Sequence, residues 1–458
     1  MSVPRKGTAK EFPVLAGSPT YGSMTERVCA IVQTRPAGWA WYAGLALALV
    51  LVAVLVTAIT YLFLTGVGIW GINIPVAWGF AITNYVWWIG IAMAGTFISA
   101  ALLLLRQRWR TSINRAAESM TVMALAIAGL FPILHLGRPW FAYWVAAYPN
   151  TMNVWPQWRS SLVWDFTALS VYLVISILFW YLSLIPDLAT LRDRARSRRT
   201  QVFYGLLALG WRGDARHWQL HETASRILAG LAVPLVFSVH SMVALDFSIG
   251  DTPGWHSTIF PPFFVAGALY SGFALVLVLA IPLRAIYGLR DEITERHLES
   301  MAKALLAAGL VVAYSYAVEL FTAWYSGNRY ELYMEMNRMA GPYAPVYWAT
   351  MLCNVAIPQA LWWRRVRLNH KLLLLISLAV LVGMWLERFV IVITSLHREY
   401  LPSQWGMFYP TLWDWATLLG SIGLFLLLFL IFVRLLPVVS MHELRKLIRA
   451  TGGSTADD

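Results

Sequence analysis

The chain has 458 residues, of which 59% are hydrophobic and 13% charged, and its formal net charge is +12. The charged share is about half that of a soluble protein, and the mean hydropathy is +0.61. These values exclude a soluble enzyme, a secreted scaffold and a disordered chain, and they describe a polytopic membrane protein.

Residues 1–41 are mostly polar and include Arg5, Lys6 and Lys10. The first long apolar run begins near Trp41, too late for a signal peptide, so the N-terminus is expected to be retained. Ten segments then reach the ~20 apolar residues needed to cross the hydrocarbon: 42–64, 78–105, 116–136, 161–185, 224–247, 262–284, 302–324, 344–363, 371–396 and 412–435. The longest connection, 186–223, is too short for a further folded domain. The expected fold class is all-α: a ten-helix transmembrane domain over 42–435, an N-terminal segment over 1–41 and a C-terminal tail over 436–458.

Lysine and arginine orient this domain. Of 35 such residues, 29 fall in the two termini, in the loops after spans 2, 4, 6 and 8, and at the span ends beside them. Five fall in the loops after odd-numbered spans, and Arg388 lies inside span 9. By the positive-inside rule both termini are cytoplasmic, in a multi-pass protein of the bacterial inner membrane. Topology thus accounts for the net charge; the partner it implies is the lipid bilayer, and no nucleic acid is needed. The outer loops are aromatic instead: residues 137–160 hold Trp140, Tyr143, Trp144, Tyr148, Trp155 and Trp158. Such rings suit a membrane–water interface, and they would equally serve a partner docked on the outer face.

The two cysteines, Cys29 and Cys353, are too few for an iron–sulfur centre. No C-x-x-C-H motif is present for covalent haem. Only His135 and His240 lie well inside the spans, fewer than the axial ligands of a dihaem cytochrome b. The chain is therefore expected to bind no metal or cofactor of its own, and electrons from a redox step would leave to another subunit.

Orientation gives each ionisable residue a depth. His135 ends span 3, Asp165 begins span 4, His240 and Asp246 occupy the outer half of span 5, Glu319 nears the outer end of span 7, and Asp414 starts span 10. Glu387 and Arg388 lie about 12–13 Å in from the outer end of span 9. The outer halves thus collect the ionisable groups, while the cytoplasmic halves read as mostly bare. Each such group is costly in a membrane. Asp414 sits close enough to water to need no function. Adjacent helical residues point about 100° apart, so Glu387 and Arg388 are each expected to pair with another helix. His135, Asp165, Asp246 and Glu319 come from four spans at similar depth and are expected to converge. Carboxylate and imidazole together can accept protons from a hydroxyl, which suits a lipid-soluble quinol. His240, about 120° around its helix from Asp246, fits that site less well.

Several runs resemble one family. His135-Leu-Gly-Arg-Pro-Trp140, Tyr148-Pro-Asn150 and Ser161-Leu-Val-Trp-Asp165 resemble the NrfD, or polysulfide reductase membrane subunit, family. So do the stretches 178–195, 253–274, 323–331 and 387–403, so the resemblance spans roughly residues 40–410. It is closest to the branch formed by the quinol-oxidising membrane subunit of alternative complex III, ActC. The resemblance implies two four-helix bundles, spans 2–5 (about 78–247) and 6–9 (262–396), with spans 1 and 10 outside. It implies a quinol, menaquinol or ubiquinol, oxidised near the periplasmic face, with His135 and Asp165 catalytic and His135, Asp165, Asp246 and Arg388 binding it. His240, Glu319 and Glu387 become candidates for a proton route, and protons would be released or translocated. The implied partners are a periplasmic iron–sulfur subunit, c-type haem subunits, a second NrfD-like membrane subunit and small membrane subunits; the iron–sulfur clusters and haems belong to those partners. Many family members carry histidine where this chain has Met93, which cannot accept a proton.

Two other readings compete. A redox-silent, proton-translocating paralogue in the same kind of complex would lack the outer histidine and aspartate that this chain keeps. A transporter or channel would break its helices at matching mid-depth positions in both halves, and Pro132, Pro234, Pro282 and Pro358 do not match in that way.

Overall fold

At membrane depth no water satisfies an open backbone, so apolar runs of this length wind into helices. The computed structural model describes residues 12–17, 19–145 and 158–450. Among these residues the principal helices, in chain order, are α1 (Tyr21–Gln33), α2 (Trp39–Thr65), α3 (Phe80–Leu104), α4 (Asn114–His135), α5 (Ser161–Asp193), α6 (Arg198–Leu207), α7 (Ala215–Ser248), α8 (Phe260–Ile286), α9 (Glu295–Tyr325), α10 (Arg329–Ala340), α11 (Ala344–Met351), α12 (His370–Leu396), α13 (Leu412–Leu435) and α14 (Met441–Ala450). No strand interrupts them in the described chain.

Nine of these helices are long and apolar enough to cross a membrane: α2, α3, α4, α5, α7, α8, α9, α12 and α13. The expected span over 344–363 is the exception to regularity. Its chain leaves α11 for a π-turn at Leu352–Ala356 and then a tight 3-10 stretch at Ile357–Trp362. Pro358 explains the change, because it has no N–H to continue an α-helical ladder. Helical winding still persists from residue 344 to 362, about 28 Å of rise, so the path length of a crossing is kept.

Helix packing follows two closed rings. In the first, α3 packs on α4, α4 on α5, α5 on α7 and α7 back on α3; in the second, α8 meets α9 and α12, and the α11 segment closes the ring against both. The rings join where α8 packs on α3 and α7. Small residues set the tightest approaches, as is common between membrane helices. A Cβ on Gly95 of α3 would lie 2.2 Å from the Ala117 carbonyl oxygen of α4, and one on Gly272 of α8 would lie 2.3 Å from the Ala94 Cβ. The helix α3 is accordingly the most enclosed of the long helices, whereas α2 is mostly exposed and pairs with α13 outside the first ring.

Both ends of the described chain meet on one face. The helix α1 packs on α13 and α14, and Arg27 pairs with Asp291 at 2.7 Å. This face carries the basic loops. The opposite face is aromatic, with Trp140, Tyr143 and Trp158 exposed. Tyr148 and Trp155, with the motif at 148–150, lie outside the described residues. The connection 325–343, expected as a loop, contains α10, which lies across this aromatic end of α9 and α12.

Candidate functional site

Three helices of the first ring bring polar side chains together near the aromatic face. Asp165 lies in the second turn of α5, Asp246 in the last turn of α7, and Tyr85 in the second turn of α3. The antiparallel packing of α5 on α7, with α3 beside them, puts all three at one depth. The Asp165 and Asp246 carboxyls lie within hydrogen-bonding reach of each other, and Ser161 donates to Asp246. The Tyr85 hydroxyl donates to Asp165 Oδ2 at 2.5 Å. Asp165 is 6% exposed; its Oδ1 and the Asp246 Oδ1 are buried with no partner. Two carboxylates in contact and out of water share a proton, because both charges together are too costly. The pair therefore offers one acid, one base and an unpartnered oxygen on each.

The other residues expected at this site lie elsewhere or touch it less closely. His135 ends α4 at the same face, stacked on Trp70 with ring centroids 6.4 Å apart. Its Nδ1 is buried without a partner, and among the described residues no hydrogen bond joins it to Asp165. Glu319 does not converge with the aspartates. It belongs to the second ring, where Arg338 Nη1 binds it at 2.7 Å and binds Glu335 at 2.5 Å. The Arg338 Nη2 donates to the Gly254 carbonyl and to Ser395. Hydropathy hid this arrangement because α10, which supplies Arg338, is too polar to read as a membrane element; Glu331, Glu335 and Arg338 at helical spacing were the available signal.

Glu387 and Arg388 correct the expectation that each pairs with a different helix. Arg388 Nη1 lies 3.0 Å from Glu387 Oε1. The backbone directions do diverge, but both side chains are long enough to curve together where water is absent. Glu387 also accepts from Tyr316, which in turn accepts from Asn354 Nδ2 at 2.9 Å. Asn354 sits in the π-turn, and Gly383 admits it, since a Cβ there would lie 2.2 Å from Asn354 Oδ1. The Arg388 guanidinium lies 4.1 Å from the Phe264 ring centroid, and no contact joins it to either aspartate among the described residues. A cavity of about 20 Å³, bordered by Phe263, Glu319, Tyr316, Glu335, Arg338 and Glu387, separates this group from the Arg338 cluster; it has room for roughly one water. His240 is buried, with neither ring nitrogen hydrogen-bonded. Asp414 is structural: it caps α13 through Thr411 and accepts the Gly71 N–H at 2.8 Å.

The basic face is not bare, contrary to the sequence reading. Arg115 of α4 is fully buried and donates to Asp187 Oδ2 at 2.9 Å and to the Ser183 carbonyl at 2.7 Å, both on α5. Ser183 donates to Glu118 at 2.6 Å. Asp187 also accepts the backbone N–H groups of Met441 and His442 at 3.1 and 3.0 Å, capping α14 from another helix. Arg110 pairs with Glu443 at 2.8 Å; burial would raise the Glu443 carboxyl, but Arg110 and His442 hold it below its ordinary range. These residues were assigned to span edges and loops because α5 runs past its apolar stretch to Asp193. Among the described residues no three His, Cys, Asp or Glu side chains form a metal-ligand group.

Several known proteins are similar to the chain. It is 24% identical to a membrane component of the selenate reductase of Mesobacillus selenatarsenatis, over 80% of this chain and 87% of that protein. It is 22% identical to the Hdr-like menaquinol oxidoreductase integral membrane subunit of Archaeoglobus fulgidus, over 88% of this chain and 95% of that protein. A dimethyl sulfoxide reductase-type membrane subunit of Halobacterium salinarum is 28% identical over 45% of this chain and 43% of its own length. The family described as polysulphide reductase, NrfD, matches residues 70–398, which takes in both helix rings and the carboxyl pair between α5 and α7, and the chain belongs to that family.

Proposed function

We propose that this protein is the quinol-oxidising membrane subunit of an electron-transfer complex of the alternative complex III type, in the bacterial inner membrane with both termini cytoplasmic. The observation that carries this reading is the buried Asp165–Asp246 pair, held at the aromatic face by Tyr85 and Ser161. A quinol, menaquinol or ubiquinol, gives up two protons and two electrons when it becomes a quinone. An unpartnered carboxylate oxygen near an apolar wall is the acceptor such a proton needs. The electrons leave to an iron–sulfur subunit on the periplasmic side, and from there to c-type haem subunits. A second NrfD-like subunit and small membrane subunits complete the complex. His135 and Arg388 flank the quinol in this reading. Glu319 and Glu387, on either side of the water-sized cavity, and His240 serve proton movement away from it. Support comes from the relatives, which are named as subunits of reductases or of a menaquinol oxidoreductase.

Asp165→Asn tests the reading. Loss of a general base lowers rates by about 10²–10⁴-fold, so quinol-dependent reduction of the acceptor by the purified complex is expected to fall at least a hundredfold, with the subunits still assembled. A near-normal rate in the assembled variant refutes the assignment.

A further inference from the structure

The carboxyl pair poses a question of direction: which aspartate holds the proton and which the charge. Burial alone would put the charge on Asp246, which is the more exposed of the two. The hydrogen bonds oppose this. Tyr85 is 4% exposed in the most enclosed long helix, so its ring cannot swing away. Its hydroxyl points at Asp165 Oδ2 across 2.5 Å, within the range of charge-assisted O–H···O⁻ bonds. Asp246 receives only an aliphatic hydroxyl, from Ser161. A phenol is far more acidic than a serine hydroxyl and so the stronger donor to a negative oxygen. Among the described residues the groups acting on the Asp165 carboxyl are Tyr85 of α3 and Asp246 of α7; neither is a cation. His135 of α4 shares the face but not a bond.

We infer that Tyr85 is a positioning residue that reverses the preference set by burial: it places the charge of the pair on Asp165, leaves the shared proton on Asp246, and so makes Asp165 Oδ1 the atom that takes the first proton from the reductant. This inference rests on the quinol reading of the site. In the step it describes, the O–H bond of the quinol breaks as an O–H bond forms at Asp165 Oδ1, and the electrons pass to the one-electron acceptor of the partner subunit. Tyr85 keeps its own proton throughout and acts only through Asp165.

The experiment is a pH–rate profile of quinol oxidation by the purified complex carrying Tyr85→Phe, alongside Asp165→Asn. Without the phenol, Asp165 gives up its proton less readily. The acidic limb of the profile is expected to move to higher pH by about one unit, a tenfold change in that equilibrium. Turnover is expected to fall about tenfold on the acidic side and to recover as pH is raised, with KM little changed. Recovery at higher pH is a response that a merely structural defect does not give. If Tyr85→Phe does not assemble, incorporation of 3-fluorotyrosine makes the phenol a stronger donor and is expected to move the limb the opposite way. An unmoved limb, with Asp165→Asn inactive, overturns the role of Tyr85 and leaves the quinol reading standing. Normal turnover by Asp165→Asn overturns that reading and this inference with it.

Discussion

Replacing Asp187 with asparagine should release the C-terminal helix from the basic face, and Cys29 reports the release. Asp187 has two tasks. Its carboxylate neutralises Arg115 in a pair whose side chains are 1% and 0% exposed, and it caps α14 by accepting the N–H groups of Met441 and His442. Asparagine preserves the shape but leaves Arg115 buried with only Glu118, 3.9 Å from its Nε, as counter-charge. Breaking a buried pair by removing one partner costs about 3–5 kcal/mol. The residual attraction of Glu118 argues for the lower end, about 3 kcal/mol. Undocking α14 admits water to Arg115 and relieves that cost, so the closed state alone is destabilised. At 1.4 kcal/mol per factor of ten, the open population rises by roughly two orders of magnitude. The Cys29 sulfur lies buried, 3.6 Å from the Met441 sulfur, and burial pushes its thiol up to about 11. Closed protein therefore presents almost no thiolate to an alkylating reagent. With Cys353→Ala as background, maleimide modification of Cys29 near neutral pH, followed by intact-mass measurement, should accelerate by about a hundredfold in Asp187→Asn. A rate within about threefold of the parent would refute the coupling between the ion pair and the docked helix.

Two further outcomes follow from the packing. Gly95→Ala drives a methyl group to 2.2 Å from the Ala117 carbonyl and the Thr121 hydroxyl, and backbone cannot yield as a flexible side chain can. Overpacking of this kind costs about 1–3 kcal/mol, so the detergent-solubilised protein should melt several degrees lower; an unchanged melting temperature would show that α3 and α4 are free to part. His397, just beyond the end of α12, joins that helix to α10. Its Nδ1 contacts the Thr394 carbonyl at 2.8 Å, and its Nε2 faces Asn337 at 3.4 Å. Burial holds its imidazole down to about 4, with Arg398 adding to the effect and the Thr394 carbonyl opposing it. Because this lies below the ordinary value near 6.5, the unfolded state binds more protons in between. The stabilisation is full above pH about 6.5 and is lost progressively as pH falls toward 4. Proteolysis within α10 should therefore accelerate across that window, and His397→Gln should flatten the dependence.

Hydropathy and charge alone carried the reading of this chain a long way. The apolar runs specified helices because a membrane permits little else, and nine of the ten expected spans are regular helices. The motif ending at Asp165 and the intramembrane cost of a carboxylate singled out that residue and Asp246 before any contact was known. The bundle arrangement came with the family resemblance, and the described helices pack as two rings.

Which charges meet was not legible. A helical sequence specifies how deep a residue lies and which way it leaves its own axis, but not which helix stands beside it. Asp165 and Asp246 meet because α5 packs on α7, while Glu319, at a similar expected depth, is drawn to Arg338 of a helix too polar to be read as part of the membrane domain. Glu387 and Arg388 close on each other because long side chains bend where no water competes for them. Tyr85 drew no notice in an apolar run, and only three neighbouring helices make its hydroxyl the partner of Asp165. Burial energy along a chain is nearly one-dimensional and can be summed from composition; pairing energy depends on distances between chain-remote atoms, and those exist only once the helices have packed.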